Sequence, residues 1–142
     1  MRIIITESSE LQERINKMPP AVTWRASLFG AVASTAAYSD SVNWLDAVLI
    51  TLDENRKLLS NLLQSKLPAV KYRIPDFGYL AWLDMSTLGL GEDPAARVLE
   101  KGKVALNGGV LYGPKHKNFV RLNFGTSPEL ITEGIDRIAK SL

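Results

Sequence analysis

The stretch that decides the fold is Phe119-Val120-Arg121-Leu122-Asn123-Phe124-Gly125. Val120, Leu122 and Phe124 alternate with the residues that point the other way. A period of two predicts a β-strand with one face in a core. Turn residues lie on both sides of the stretch, which favours a short strand between loops. Arg121 is its unusual member, because it places a permanent charge in the middle of an apolar strand.

Two interpretations of Arg121 follow from the residues alone. It is either an edge-strand arginine whose long stem carries the charge out to water, or a planar fork of donors that a rigid strand aims at a ligand. Guanidinium geometry matches a carboxylate or a phosphate. The sequence pattern leaves both interpretations open.

The composition limits the class of protein. A chain of 142 residues, 46% of them hydrophobic, can bury roughly two thirds of its unfolded surface in one ordinary core. Seventeen basic and fifteen acidic residues give a net charge of +2, so we expect no nucleic-acid partner. Cysteine is absent, which excludes disulfides and thiolate metal sites and fits a cytoplasmic protein. No apolar run approaches the ~20 residues that span a bilayer, so we expect no membrane contact.

The first half of the chain is predicted to be mostly helical. A β-branched run over residues 2–6 predicts a buried strand. A capping box at Ser9 predicts a helix over residues 9–17. Residues 21–38 are rich in small side chains, which predicts a helix packed against other backbone or at a subunit interface. Residues 41–66 keep helical apolar spacing over on the order of 40 Å, long enough to join two lobes.

The second half alternates strands with helices. Strands are predicted over residues 70–74, 79–85 and 103–106, in addition to the Arg121 strand. Asp93 and Ser127 are expected N-caps of two helices, each followed by proline at the first helical position. The buried stripe of the last helix is predicted to be Leu130, Ile131, Ile135, Ile138 and Leu142. This order predicts an α+β fold, a small sheet covered by helices.

Other candidate sites are weaker. His116 is the only histidine and lies between two lysines, so we expect a solvated loop and no metal. The glycine loop over residues 108–115 resembles a phosphate loop, but Pro114 stands where the phosphate-binding lysine belongs. We assign Asp84 to a strand end or turn. We expect no catalytic residue and no metal ligand in this chain.

Three stretches together carry a resemblance to a known family: residues 78–84, 104–113 and 118–126. They resemble the C-terminal part of fold-type I pyridoxal-phosphate enzymes of the aminotransferase class I/II family, and most of all the cystathionine β-lyase-like carbon–sulfur lyases of the MalY/PatB group. The resemblance implies a small domain with a mixed or antiparallel sheet and covering helices. It divides the chain into a remnant of the large domain (1–40), a long interdomain helix (41–67) and the C-terminal small domain (68–142).

The resemblance also implies a function. In this family the arginine at the position of Arg121 binds the α-carboxylate of an amino-acid substrate. The parent enzyme would use pyridoxal phosphate to cleave cystathionine or cysteine conjugates to pyruvate, ammonia and a thiol. An aminotransferase of the same fold, or a non-catalytic domain that binds a carboxylate or a partner, remains an alternative.

In this family the cofactor lysine precedes a strand, and residues 2–6 resemble that strand. No lysine of this chain lies in the family's cofactor-lysine motif. We therefore expect this chain to be the C-terminal third of such an enzyme, as a fragment, a separately encoded piece or a truncated product. Alone it is expected to bind no pyridoxal phosphate and to be inactive. We also expect a cytoplasmic location and a homodimer.

Overall fold

The computed structural model describes residues 4–23 and 27–142, and the chain divides into two compact units, Met1–Ala47 and Val48–Leu142. The described residues form helices and one small sheet, so the predicted α+β class is confirmed. The predicted boundaries at residues 40 and 67 stay a prediction. Within the described ranges, no helix combines the length and the apolar character needed to cross a membrane.

Helices make up the regular structure described in the first unit. They are α1 (Ser9–Asn16), α2 (Pro20–Thr23) and α3 (Leu28–Asp40). The N-cap of α1 is Ser8 and not the predicted Ser9, because the Ser8 side chain accepts from the N–H of Leu11. The single helix predicted over residues 21–38 is interrupted, since Ser27 has extended backbone and caps a new helix.

The apolar surface of this unit is largely exposed. No residue of α3 is buried, so its small residues meet no core within the described part of the chain. The strand predicted over residues 2–6 is wrong for residues 4–6, which have no regular structure, and Ile5 is 88% exposed. A β-branched run forms a strand only beside another strand that completes its ladder. Residues 2 and 3 of that prediction lie outside the described residues.

The predicted long helix is α4 (Val42–Lys66), which begins after the break at Ser41 and is 25 residues long. It passes through the division between the two units. In the second unit its apolar stripe enters the core, where Leu59 and Leu63 are buried. Leu67 follows the helix and is also buried. The predicted helix and its length are therefore confirmed.

The described strands form one four-stranded antiparallel sheet with the order β1-β2-β4-β3. The strands are β1 (Lys71–Tyr72), β2 (Leu80–Asp84), β3 (Asn107–Gly108) and β4 (Phe119–Asn123). The two central strands, β2 and β4, pair over five residues, and each edge strand has only two. The predicted α+β sheet is thus antiparallel throughout.

The third strand lies later in the chain than predicted. Residues 103–106 were expected to form it, but β3 begins at Asn107. Lys103 has φ 56° and ends the preceding helix in the left-handed conformation. A residue in that conformation cannot start a strand, so the chain needs several more residues to reach the sheet.

Two helices, α5 (Pro94–Gly102) and α6 (Pro128–Lys140), complete the second unit, and Asp93 and Ser127 cap them as predicted. They approach closely at Gly102, where an added Cβ would lie 2.9 Å from the carbonyl oxygen of Arg137. The helices α4, α5 and α6 pack with the sheet around one hydrophobic core. Its residues are Leu59, Leu63, Leu67, Val70, Ala81, Leu83, Met85, Ala95, Val98, Val120, Leu122, Phe124, Ile131, Ile135 and Ile138. The predicted stripe of α6 is wrong at Leu130 and Leu142, which are exposed.

Candidate functional site

The strand β4 has the two faces that its sequence predicts. Val120, Leu122 and the following Phe124 are buried in the core. Arg121 lies on the opposite face and is half-buried. The antiparallel register places Trp82 of β2 and Asn107 of β3 directly opposite Arg121, one on each side. Paired residues share a face of a sheet, so Arg121 lies between an indole and an amide.

Four rings pack together on this outer face, and we call them the aromatic cluster: Trp82, Tyr112, His116 and Phe119. Trp82 stacks on Phe119, with ring centroids 5.5 Å apart and planes 14° apart. Tyr112 meets Trp82 edge-on at 5.3 Å. His116 meets Trp82 and Phe119 edge-on, at 5.7 Å from each. These are the favourable geometries for aromatic pairs.

The Arg121 guanidinium contacts this cluster through Tyr112. Its Cζ lies 5.4 Å from the centroid of the Tyr112 ring, within the range of a cation–π contact. The described part of the chain gives the guanidinium neither a carboxylate nor another hydrogen-bond partner. A half-buried permanent charge without a counter-ion is unusual, and its donors are free to bind an external anion.

A tightly folded loop brings Tyr112 and His116 to the outer face. After β3 the chain forms two short 3-10 turns, Gly109–Tyr112 and Pro114–His116. At Gly109 the backbone passes so close that an added Cβ would lie 2.0 Å from the carbonyl oxygen of His116. The same Cβ would lie 2.8 Å from the carbonyl oxygen of Phe119 in β4. Only glycine allows the loop to lie against the strand in this way.

The structure corrects the interpretation of His116. It was expected in a solvated loop, but its ring is half-buried in the aromatic cluster. Of its neighbouring lysines, Lys117 pairs with Glu92, and hydrogen bonding to that lysine holds the pKa of Glu92 below its usual range. Within residues 4–23 and 27–142, no three His, Asp or Glu side chains are grouped so as to hold a metal.

A buried asparagine fixes the end of the Arg121 strand. Asn55 of α4 is 1% exposed, and its amide nitrogen donates to the carbonyl oxygens of Phe124 at 3.0 Å and Thr126 at 2.7 Å. These carbonyls follow Arg121 by three and five residues. Sequence reasoning missed Asn55, because it placed this residue on no particular face of the helix. The only feature of the sequence that could have identified Asn55 is its position as a polar residue close to the apolar stripe of α4.

Asp84 is the last residue of β2, as predicted, and lies opposite Phe119. Hydrogen bonding from the Ser86 hydroxyl, and then from the Ser86 N–H at 2.9 Å, lowers the pKa of Asp84. The carboxylate is thus used to cap the turn that follows the strand.

A surface pocket of about 370 Å³ lies beside the aromatic cluster. It extends from Trp82 to the loop over residues 73–77.

Comparison with known proteins points to one family, although no family model matches the chain. The cystathionine β-lyase PatB of Bacillus subtilis is 40% identical over 115 residues, covering 80% of this chain and 30% of PatB. A crystal structure from Corynebacterium diphtheriae, named provisionally as a PLP-dependent β-cystathionase, superimposes with a TM-score of 0.86 at 32% identity. It covers 96% of this chain and 36% of that protein.

A PLP-bound C–S lyase from Staphylococcus hominis superimposes with a TM-score of 0.80 at 25% identity, covering 96% of this chain and 36% of that protein. The chain matches the C-terminal part of a fold-type I pyridoxal-phosphate enzyme. The predicted resemblance to this family is confirmed, and so is its small antiparallel domain. The chain spans about a third of the length of the fold-type I relatives it matches.

Proposed function

We propose that this chain is the substrate-carboxylate-binding part of a PLP-dependent carbon–sulfur β-lyase that acts on cystathionine or cysteine conjugates. The observation that carries the proposal is Arg121, a half-buried guanidinium with no counter-ion among the described residues. The names of the relatives, a cystathionine β-lyase and a C–S lyase, support the reaction class.

The surroundings of Arg121 suit a carboxylate. An amino acid offers two coplanar oxygens, which accept two parallel N–H donors of one guanidinium. A central strand supports Arg121, and Asn55 holds the end of that strand to α4. Such a support keeps the donors in one place before the substrate arrives, which lowers the entropy lost on binding.

The residues of this chain do not fit an anchor for the cofactor. When bound, pyridoxal phosphate supplies an electron sink for carbanion chemistry. A lysine that holds it is desolvated. Every lysine of this chain lies within the described ranges, and each is exposed. We infer that the Schiff-base lysine belongs to another part of the enzyme and that this chain alone binds no pyridoxal phosphate and is inactive.

Substitution of Arg121 tests the proposal in the complete enzyme with its cofactor. Arg121→Ala leaves the substrate carboxylate unpaired, a loss of about 2–5 kcal/mol that lowers kcat/KM at least about thirty-fold. Arg121→Lys recovers only part of it, because an ammonium cannot form the bidentate pair. Arg97→Ala removes an exposed arginine of α5 and serves as the matched control. Unchanged kcat and KM in Arg121→Ala would remove Arg121 from the site.

An aminotransferase of the same fold is the alternative, because it would bind the same carboxylate. Release of pyruvate and thiol from S-ethyl-L-cysteine supports the lyase, whereas amino transfer to a 2-oxo acid supports the aminotransferase.

A non-catalytic domain that binds a carboxylate or a partner is a second alternative. The exposed lysines favour it, because a lysine that holds the cofactor is desolvated. Mixing the chain with pyridoxal phosphate and recording the visible spectrum tests it, since a stable cofactor band with turnover would refute it. Homodimer formation and a cytoplasmic location remain predictions.

A further inference from the structure

We propose that Tyr112 is a positioning residue for Arg121, holding the guanidinium ready for a ligand carboxylate without using its hydrogen-bond donors. The proposal rests on the proposed function of Arg121. It adds a residue from the loop that follows β3, at a position where the sequence predicted only a connection.

The contact itself is well defined. The Arg121 Cζ lies 5.4 Å from the Tyr112 ring centroid. Trp82 meets Tyr112 edge-on at 5.3 Å with an angle of 89°. Trp82 in turn lies opposite Arg121 in the sheet and stacks on Phe119. The ring that holds the guanidinium is therefore itself held by the strand pair that carries the guanidinium.

An aromatic ring suits this role better than a carboxylate does. A carboxylate partner would occupy the parallel N–H groups of the fork and neutralise its charge. A ring attracts the cation through its quadrupole and leaves those N–H groups free. It also restricts a long side chain that otherwise loses much of its rotamer freedom when it binds. The Arg121 side chain is therefore already partly ordered in the free protein, so less conformational entropy is lost when the ligand binds.

The loop delivers Tyr112 through a backbone constraint. Gly109 lies against the backbone of His116 and Phe119, where no side chain fits. The 3-10 turn from Gly109 carries Tyr112 at its end, and Gly113 follows with φ 125°, a conformation that glycine adopts readily. The position of the ring is consequently set by the strand β4 itself. Tyr112 is 45% exposed and Arg121 is half-buried, so neither residue is sealed in the core.

The test is a double-mutant cycle in the complete enzyme with its cofactor. Tyr112→Leu removes the ring and is expected to raise KM for S-ethyl-L-cysteine about three- to five-fold with little change in kcat, the size of an exposed cation–π contact. Tyr112→Phe keeps the ring and is expected to behave as the wild type. Leu111→Ala, at an exposed neighbour on the same turn, is the control. In an Arg121→Ala background, Tyr112→Leu should have no further effect.

Several results would overturn the inference. One is an equal rise in KM from Tyr112→Leu in the Arg121→Ala background. Another is an equal rise in KM with S-ethyl-L-cysteinamide, which lacks the carboxylate. A third is a rise in KM in Tyr112→Phe as large as in Tyr112→Leu. If Arg121→Ala weakens the substrate and Tyr112→Leu does not, only this inference fails. If Arg121→Ala changes nothing, the proposed function fails, and this inference with it.

A measurement on the unsubstituted chain keeps the proposal testable if Tyr112→Leu does not fold. The side-chain δ-methylene protons of Arg121 should show an upfield ring-current shift by NMR. The shift should persist in Tyr112→Phe. Random-coil shifts for these protons in the folded chain would overturn the proposed contact.

Discussion

Replacement of the buried Asn55 by alanine should be among the most destabilising single changes in the second unit. The amide nitrogen of Asn55 donates to the carbonyl oxygens of Phe124 and Thr126 from a residue that is 1% exposed. Two such bonds contribute about 2 kcal/mol, and the buried Phe124 carbonyl left unpaired costs about 1–3 kcal/mol more. Thr126 is exposed, so its carbonyl can bond to water instead. Asn55 Oδ1 is buried without a partner among the described residues, so its removal returns part of this loss.

We therefore expect Asn55→Ala to lower the free energy of unfolding by about 2–3 kcal/mol. Urea unfolding followed by circular dichroism measures the difference, and hydrogen exchange of the β4 amides locates it in the second unit. Asn61→Ala is the matched control, because Asn61 is an exposed asparagine of the same helix. Its effect should be within about 0.5 kcal/mol.

Asn55→Asp separates the lost donor from lost volume. A carboxylate at this position has no hydrogen to donate and faces two carbonyl oxygens, so burial raises its pKa in the folded chain. Its destabilisation relative to the wild type should therefore grow as the pH rises from about 4 towards neutrality. Equal stabilities of Asn55→Ala and Asn61→Ala, or a pH-independent effect of Asn55→Asp, would refute the role of this amide.

Two further predictions concern the loop and the strand end. Gly109→Ala should destabilise the second unit by on the order of 3 kcal/mol, because its Cβ would lie 2.0 Å from the His116 carbonyl oxygen. Thermal unfolding measures this against Gly134→Ala, a helical position with open space, where slight stabilisation is expected. The pKa of Asp84 is lowered by Ser86, so its stabilisation is present above the ordinary value of 3.8 and is lost as the pH falls through the folded-state pKa. Asp84→Asn should thus be less stable than the wild type near neutral pH, with a difference that shrinks in acid; a constant difference across this range would contradict it.

The parts of the fold that the sequence predicts well depend on short-range patterns. The alternation in β4 identifies its buried face, and the proline after Asp93 or Ser127 marks the first turn of a helix. These features are determined by neighbours in the chain, so one sequence contains the information. Arg121 could be singled out in the same way, because its charge interrupts an apolar strand.

The parts that the sequence does not predict depend on contacts between distant residues. The aromatic cluster joins Trp82 to rings thirty or more residues later, and its existence follows from strand register and a loop pressed onto β4. Because Lys103 adopts the left-handed conformation, β3 begins later in the chain than predicted. Lysine rarely adopts this conformation, so the residue type gives no sign of it. The apolar pattern of α6 likewise does not say which neighbours exist to cover Leu130.

The brevity of β1 and β3 has a consequence for how copies of this chain can associate. Each edge of the sheet offers only two residues of extended backbone to a neighbouring molecule. A foreign strand could therefore form only a very short ladder there, too little to hold two molecules together. Pairing of copies through the edges of this sheet is therefore disfavoured, which leaves the side-chain surfaces of the second unit for such a contact.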